Sequence, residues 1–418
     1  MWLFYFFAAL LLWQSLLSLR GGARYLSYFR RELARPPADY APHASVFVPC
    51  RGVDQGLTEN LSALFRQDYP AYELVFVADD ENDPALKFVE RAVFAFALEA
   101  ARQNMARVSA RVIVATRARD CGQKVHNLRA AVAEADTASE VFVFVDTDAR
   151  TRRDWLRALV APLADEQLGA ATGYRWFVPT RASLASILRA VWNASIASAL
   201  GTDTRRNFCW GGSTAVRRAT FDQLNMLDAW RGALSDDYAL TRALQRAGLP
   251  IKFVPACLTA SHEDCTWREL FEFTTRQLKI TRVYAPRLWL IVLVSNLIFC
   301  AVIYGGLLVV AARASAGQSF TIPLILLALI FFLGALKAHL RLRAVNLALA
   351  REGVRVRGFA RLAHLALWTV TAAIFLWNAL AAGLSRRIVW RGFAYQMESP
   401  TRTIVITTTE AAGVRQER

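Results

Sequence analysis

Residues 141–150 read VFVFVDTDAR, five apolar and strand-prone residues running straight into an acidic triplet. A strand without polar alternation is buried on both faces, as in parallel sheets covered by helices on either side. Working outward toward the N-terminus, the same pattern returns. Residues 108–115, 74–78 and 45–48 are further short apolar runs, and residues 124–134, 84–101 and 57–65 between them have helical spacing. This alternation predicts an α/β fold with a mostly parallel central sheet and flanking helices. Ligands of such sheets bind beyond the carboxyl ends of the strands. Those ends carry Pro49, then Asp79 and Asp80, then Asp146, Thr147 and Asp148.

The DTD triplet is the strongest chemical signal. Alternate residues of an extended stretch point the same way, so Asp146 and Asp148 can turn toward one cation. A hard divalent metal, Mg2+ or Mn2+, takes carboxylate and phosphate oxygens together. A polar strand-end turn is the structural explanation of the same residues. Asp79 or Asp80 can accept hydrogen bonds from a nucleotide, although Asp, Asn and Pro are also ordinary turn residues. In CGQKVHNL, Lys124 can sit near a diphosphate and Asn127 can hold the loop, while a solvated first helical turn explains them equally well.

Two later stretches add to this set. In GALSDDYALTRALQRAG, Ser235 is a helix N-cap and Asp236 and Asp237 favour the helix dipole. The functional alternative is a general base that takes a proton from an acceptor hydroxyl. The preceding FCWGGSTAVRR supplies Gly211 and Gly212 for close backbone approach. In FEFTTRQLKITRVYAPRLW, Arg276, Lys279 and Arg282 recur at helical spacing, either to neutralise a departing diphosphate or to meet lipid head groups.

Composition places this α/β region beside a membrane. The 418 residues are 55% hydrophobic yet 20% charged, with a net charge of +16. The basic residues are dispersed and cluster near apolar segments. That favours anionic lipid and a polyanionic substrate over a nucleic-acid partner. The six cysteines form no zinc spacing and are expected to be free thiols. Residues 2–19, 288–312, 315–336 and 362–384 carry no charge and are candidate spans. They hold too few polar groups for a transporter.

These features divide the chain into an N-terminal anchor (1–20), a basic linker (21–43), the chemical region (44–286), a C-terminal membrane region of three apolar segments (287–384) and a tail (385–418). Arg20, Arg24, Arg30 and Arg31 put the region after the first span on the cytoplasmic face, at the inner membrane if the source is bacterial. The basic connection at 337–361 agrees. Arg386, Arg387 and Arg391 in the tail do not fit four full crossings, so either one segment is re-entrant or interfacial, or the charge rule fails there.

The order of motifs resembles the family-two inverting glycosyltransferases, and within them the ceramide glucosyltransferases. The resemblance rests on RGVDQGLTENLSALFRQDYPAYELVFVADDENDPA, on KVHNL followed by VFVFVDTDAR, on WGGSTAVRR leading to SDDYAL, and on FTTRQLKITR. The tail VWRGFAYQM is similar to the family's WR-x-G-x-Y ending, with its glycine one place early. The resemblance implies a glycosyltransferase A-type nucleotide-binding fold. It places Pro49, Arg51, Asp79 or Asp80, Lys124, Asn127, Asp146, Gly211 and Gly212 around a UDP-sugar donor, and Asp146 and Asp148 at a divalent metal. It makes Asp237, beside Asp236, the catalytic base, with Arg276 and Lys279 in the family's (Q/R)xxRW position. That last motif departs from the pattern, with lysine for arginine and isoleucine for tryptophan.

The expected reaction is transfer of a hexose, UDP-glucose first among donors, to a lipid acceptor such as ceramide at the bilayer. The alternatives are a processive polysaccharide synthase and a catalytically inactive lipid-binding scaffold.

Overall fold

A computed structural model describes residues 1–103, 108–181 and 183–406. In chain order the elements are α1 (Trp2–Ala34), β1 (Ala44–Pro49), α2 (Leu57–Leu64), β2 (Tyr72–Ala78), α3 (Pro84–Gln103), β3 (Ser109–Val114), α4 (Gln123–Ala133), β4 (Val141–Phe144), α5 (Trp155–Val160), β5 (Ala170–Phe177), α6 (Leu184–Ala197), β6 (Thr214–Arg217), α7 (Arg218–Gln223), α8 (Met226–Ala229), α9 (Asp236–Arg246) and β7 (Ile251–Ser261). There follow α10 (Trp267–Tyr284), α11 (Pro286–Ser315), α12 (Thr321–Leu349), α13 (Gly358–Ala366), α14 (Trp368–Leu384), β8 (Arg387–Trp390), β9 (Phe393–Ser399) and β10 (Arg402–Ile406). They form two units. One holds Met1–Arg31, Pro179–Ser198 and Asp264–Ser385, and the other Glu32–Val178, Ala199–Glu263 and Arg386–Arg418.

The second unit is built on a seven-stranded sheet in the order β3-β2-β1-β4-β6-β5-β7. β1 pairs in parallel with β2 and with β4, β2 with β3, and β5 with β7; only β6 runs antiparallel to its neighbours β4 and β5. The mixed α/β fold with a mostly parallel sheet is therefore as the sequence pattern implied. The central strands β1, β2 and β4 are apolar along nearly their whole length because helices cover both faces. β3, at the edge, is half-exposed and keeps Arg111 and Ser109. On one face Phe47 stacks on Phe144 at 5.5 Å, and Phe144 and Phe221 pack edge-on against Trp230.

Chain order reverses direction between β1 and β4. β2 and β3 lie to one side of β1, and β4 lies on the other. This is the switch point where a crevice opens at strand ends. The register Phe47↔Phe144, extended by the bond from Val145 N to Phe47 O, brings Pro49 level with Asp146. The acidic triplet and the residues after β1 thus share one rim. Further along the sheet, β5 pairs with β7 through a bulge between Thr172 and Tyr174. That irregularity sets the direction of the next side chain, Arg175. A second, small antiparallel sheet, β10-β9-β8, belongs to the same unit. Nothing in the sequence reading anticipated it.

The first unit is helical. Three helices are long and apolar enough to cross a membrane: α1, α11 and the stretch Thr321–Glu352 that includes α12. The apolar run at 362–384 is different. It is split between α13 and α14, which meet at 59°, so it is a broken span or a re-entrant element. The charge conflict in the tail had pointed to such an irregularity. α1 does not stop at the first arginine but continues to Ala34, through most of the stretch expected as a linker. The helix can run on past Gly21 and Gly22 because no proline interrupts it before Pro36 and Pro37.

α6 and α10 also belong to this helical unit, where the charge pattern drew a boundary at residue 286. Trp192 of α6 stacks on Phe375 of α14 at 4.7 Å, and Thr274 and Thr275 of α10 donate to Asn378 Oδ1 at 3.2 and 3.0 Å. Asn378, a polar residue in an apolar segment, is thereby an interhelical bridge. Trp289, in the first turn of α11, donates its indole N–H to Ala379 O at 3.0 Å. All six cysteines are free thiols.

Gly173 lies at the β5 bulge, where an added Cβ would stand 2.3 Å from Cys257 O and 2.6 Å from Ser213 Oγ. Gly173→Ala is expected to destabilise the protein by about 1–3 kcal/mol or more through overpacking. Gly201→Ala, at a position with nothing within 4 Å, is the control. Comparing their unfolding midpoints checks this, and equal midpoints would contradict it.

Candidate active site

Four carboxylates gather at the rim of the sheet, held by two half-buried cations. Lys124, in the first turn of α4, lies 2.7 Å from Asp146 Oδ1 and 3.4 Å from Asp236 Oδ1. Arg175, projecting from β5, lies 2.8 Å from Asp148 Oδ2, 3.8 Å from Asp146 Oδ2 and 4.0 Å from Glu263 Oε1. Its guanidinium also covers the Trp210 ring at 5.0 Å. Sequence segments more than a hundred residues apart thus meet in one nest of charge.

The electrostatics follow from that arrangement. Burial alone would pull the Lys124 ammonium down, but the carboxylates of Asp146, Asp236 and Asp237 outweigh it and hold Lys124 firmly charged. Burial would raise Asp146, yet Lys124 and Arg175 hold it below the usual carboxylate range. Asp148 goes the other way. Burial raises it, Arg175 offsets only part of that, and Asp146 and Asp54 add to the rise. Asp236 is pushed up to about 6 by burial, with Lys124 opposing and Asp237 and Asp146 reinforcing.

Asp236 and Asp237 are neighbours in sequence and differ in setting. Asp236 is buried against Lys124, and its backbone carbonyl accepts from the Trp230 indole at 3.1 Å. Asp237 is half-exposed. It accepts from Tyr238 N at 2.7 Å, from Gly211 N at 3.3 Å and from the Ser235 hydroxyl. The N-cap geometry and a forward-facing carboxylate therefore coexist. Gly211 has no room for a side chain, because a Cβ would stand 2.6 Å from Asp236 Oδ2 and 2.7 Å from Lys124 Nζ. At Gly212 the neighbouring Trp210 ring fills the space instead.

The first acidic station also resolves into two different residues. Asp79 is buried and accepts two bonds from Arg51 Nη1, one of them 2.5 Å. Asp80 accepts from Asn82 N at 2.9 Å and serves the turn. Asn127 is buried and accepts from Gln123 Nε2 at 2.8 Å, while Gln123 Oε1 accepts from Ala118 N and its amide donates to Thr116 O. Asn127 thus secures the loop that leads into α4. Pro49 closes β1 and positions Arg51 beside Asp79.

Arg276 and Lys279 lie on α10 in the helical unit. The Arg276 guanidinium stands 5.5 Å over the Phe273 ring, and burial lowers the Lys279 ammonium from its ordinary value.

Several residues at the rim were not singled out from sequence. Arg175 and Glu263 are the clearest. The signal for Arg175 was present, since an arginine inside YRWF is a charge in an otherwise apolar strand. Asp54 accepts from the Thr147 hydroxyl at 2.7 Å and from Arg391 at 2.7 Å. A cleft of about 230 Å³ beside the triplet is lined by Asn60, Asp148, Arg150, His262 and Glu263, among others.

Could this nest hold a divalent metal? No group of three His, Cys, Asp or Glu side chains is arranged as a ligand set among the described residues. Cations bound jointly with a diphosphate take only one or two carboxylates from the protein. Asp146 and Asp148 meet that need. Asp148 Oδ1 is buried without a hydrogen-bond partner among the described residues, which is compatible with a ligand atom of a cation.

Removing Lys124 would leave Asp146 and Asp236 buried without their shared cation. Lys124→Met is expected to cost about 3–5 kcal/mol at neutral pH. With the cation gone, both carboxyls shift up and the folded state binds more protons than the unfolded one, so the variant's stability falls as pH rises. Denaturation at about pH 5 and about pH 8 checks this, the penalty being larger at the higher pH. An equal penalty at both would refute the arrangement.

The model of the family described as Glycosyl transferase family 21, the family of ceramide glucosyltransferases, matches residues 5–403. Among solved structures, a mannosyltransferase from Pyrobaculum calidifontis in complex with GDP-Man and Mn2+ is similar at 20% identity, covering 90% of this chain and 98% of that one, with a TM-score of 0.44. Glucosyl-3-phosphoglycerate synthase from Mycobacterium tuberculosis, in complex with Mn2+ and UDP-glucose, is similar at 15% identity over 62% of this chain and 82% of that one, with a TM-score of 0.36. At those scores neither likeness carries an argument about what this chain binds.

Proposed function

The chain belongs to glycosyl transferase family 21 and is a glycosyltransferase; on that premise we propose that it moves a hexose from a UDP-sugar, UDP-glucose first, to the hydroxyl of a membrane lipid such as ceramide, with inversion. What supports the reading is the gathering of Asp146, Asp148, Asp236 and Asp237 around Lys124 and Arg175 at the switch point of a parallel sheet. Three helices long and apolar enough to cross a membrane support a bilayer-borne acceptor.

In this mechanism Asp79 and Arg51 lie on the nucleotide side of the rim, and Pro49, Asn127, Gly211 and Gly212 keep the surrounding loops in place. Asp146 and Asp148 would hold a divalent cation, Mg2+ or Mn2+, which supplies positive charge to the donor diphosphate when bound. Lys124 fixes the Asp146 carboxylate and adds a positive charge of its own. Asp237 receives the proton of the acceptor hydroxyl as that oxygen forms its bond to the anomeric carbon. The bond from that carbon to the diphosphate oxygen breaks, and its electron pair leaves with the nucleotide. Asp236, buried against Lys124, positions the turn that carries Asp237. Arg276 and Lys279 remain in the proposal on their helical spacing and on family resemblance, and the cytoplasmic orientation on the basic residues that follow the first span.

Asp237→Asn is expected to lower transfer of glucose from UDP-glucose to ceramide by about 10²–10⁴-fold, with UDP binding in Mn2+ retained. Turnover by that variant at the unmodified rate would remove Asp237 as the base. Chelation with EDTA is expected to abolish transfer and to weaken UDP binding measured by calorimetry, and Asp148→Ala to make UDP binding insensitive to Mn2+. Metal-independent UDP binding by the unmodified protein would contradict the metal assignment.

A further inference from the structure

The C-terminal ribbon ends on the same rim as the carboxylates. β8 and β9 are joined by a two-residue turn of Arg391 and Gly392, since Trp390 pairs with Phe393. Both turn residues have positive φ, 50° and 83°. Such turns favour Asn or Gly at the first position, and a glycine at the second is expected. Arginine at the first position is a strained choice that the turn itself does not call for.

Its side chain suggests why an arginine stands there. Arg391 Nη1 donates to Arg51 O at 2.8 Å and Nη2 to Asp54 Oδ1 at 2.7 Å. Arg51 Nε returns a bond to Arg391 O at 2.8 Å, and the Arg51 guanidinium lies 4.2 Å over the Phe393 ring. Deeper in the ribbon, the Tyr395 hydroxyl accepts from Gln123 N, at the start of α4, at 3.2 Å. The turn is therefore seated on the segment after β1 and on the entry to the helix that carries Lys124. Asp54 also accepts from Thr147, the middle residue of the DTD triplet, so a chain of bonds runs from Arg391 through Asp54 to Thr147. The charge of Arg391 acts on both Asp146 and Asp148. A guanidinium has five N–H donors, and the bonds to Arg51 and Asp54 leave others for an anion. The Arg391 side chain is 40% exposed, so a ligand can reach it.

We propose that Arg391 is a donor-binding residue: the turn of the C-terminal ribbon forms a further wall of the nucleotide-sugar site, and its guanidinium contacts the terminal phosphate of the nucleoside diphosphate and stabilises the charge that phosphate gains on leaving. This rests on the nucleotide-sugar reading above and adds a residue to it. The planar fork suits phosphate in a way that the Lys279 ammonium, in the altered basic motif, does not. Because the ribbon is tied to Thr147 through Asp54, seating of the turn and placement of the DTD carboxylates are mechanically linked.

The test uses the full-length protein in detergent, with UDP and UMP as probes in Mn2+, read by calorimetry beside the unfolding midpoint. Arg391→Asn relieves the strain of the turn but loses the bonds to Arg51 O and Asp54, so the midpoint is read alongside binding as the measure of any structural loss. UDP binding is expected to weaken about 10- to 100-fold while UMP binding changes less than about twofold. Arg391→Lys is expected to fall between this variant and the unmodified protein for UDP. Equal loss of UDP and UMP affinity with a lowered midpoint would make Arg391 a structural tie and overturn the proposal, as would unchanged UDP affinity. An unmodified protein that binds neither nucleotide would overturn the nucleotide-sugar reading, and this inference with it.

Discussion

Two half-buried cations, Lys124 and Arg175, hold apart and in place a set of carboxylates that could not otherwise share one rim. Uncompensated buried charges of one sign are costly, and an unpaired carboxylate in that setting takes a proton or moves to solvent. Lys124 and Arg175 prevent both for Asp146. The irregular pairing of β5 with β7 beside Arg175, the absence of side chains at Gly211 and Gly173, and the Gln123–Asn127 amide pair can all be understood as ways of keeping this nest closed.

The same balance separates residues of identical type. Asp146 is held ionised by Lys124 and Arg175, whereas Asp148 and Asp236 are pushed upward by burial. Asp237, one residue further on, is half-exposed and reached by a backbone N–H from the glycine loop. Four aspartates therefore have four different environments within one small volume. The proposed reaction, in which a cation is held, a diphosphate carried and a proton taken up, needs such differences, since like carboxylates in like surroundings would compete for the same task.

The helical unit shows a related economy. Some of its polar residues join helices, as where Asn378 accepts from Thr274 and Thr275 and Trp289 donates to Ala379, while others such as Asn296 bond within their own helix. In an apolar medium a backbone or side-chain donor left without a partner is costly, so such residues bridge helices rather than line a path. The 59° bend between α13 and α14 gives the last apolar segment a shape that a simple count of crossings misses.

Local pattern was enough to read the mostly parallel character of the sheet, its first four strands with the helices between them, the acids at strand ends and the apolar segments, but not β5, β6 and β7. Those features depend on the period of side chains along a few residues, and buried parallel strands leave an unmistakable apolar run such as VFVFV. The family resemblance was legible for the same reason, being carried by short contiguous motifs. Which member of each acidic pair faces the rim was not legible, because Asp79 and Asp80, or Asp236 and Asp237, differ only in what surrounds them. Arg175 stood apart from any motif, and Arg391, although inside the tail VWRGFAYQM, was given no chemical role there; their meaning comes from partners 27 to 340 residues away. Only folding brings such charges within a few ångströms of one another, and at that distance Coulomb attraction rather than sequence neighbourhood decides what each side chain does.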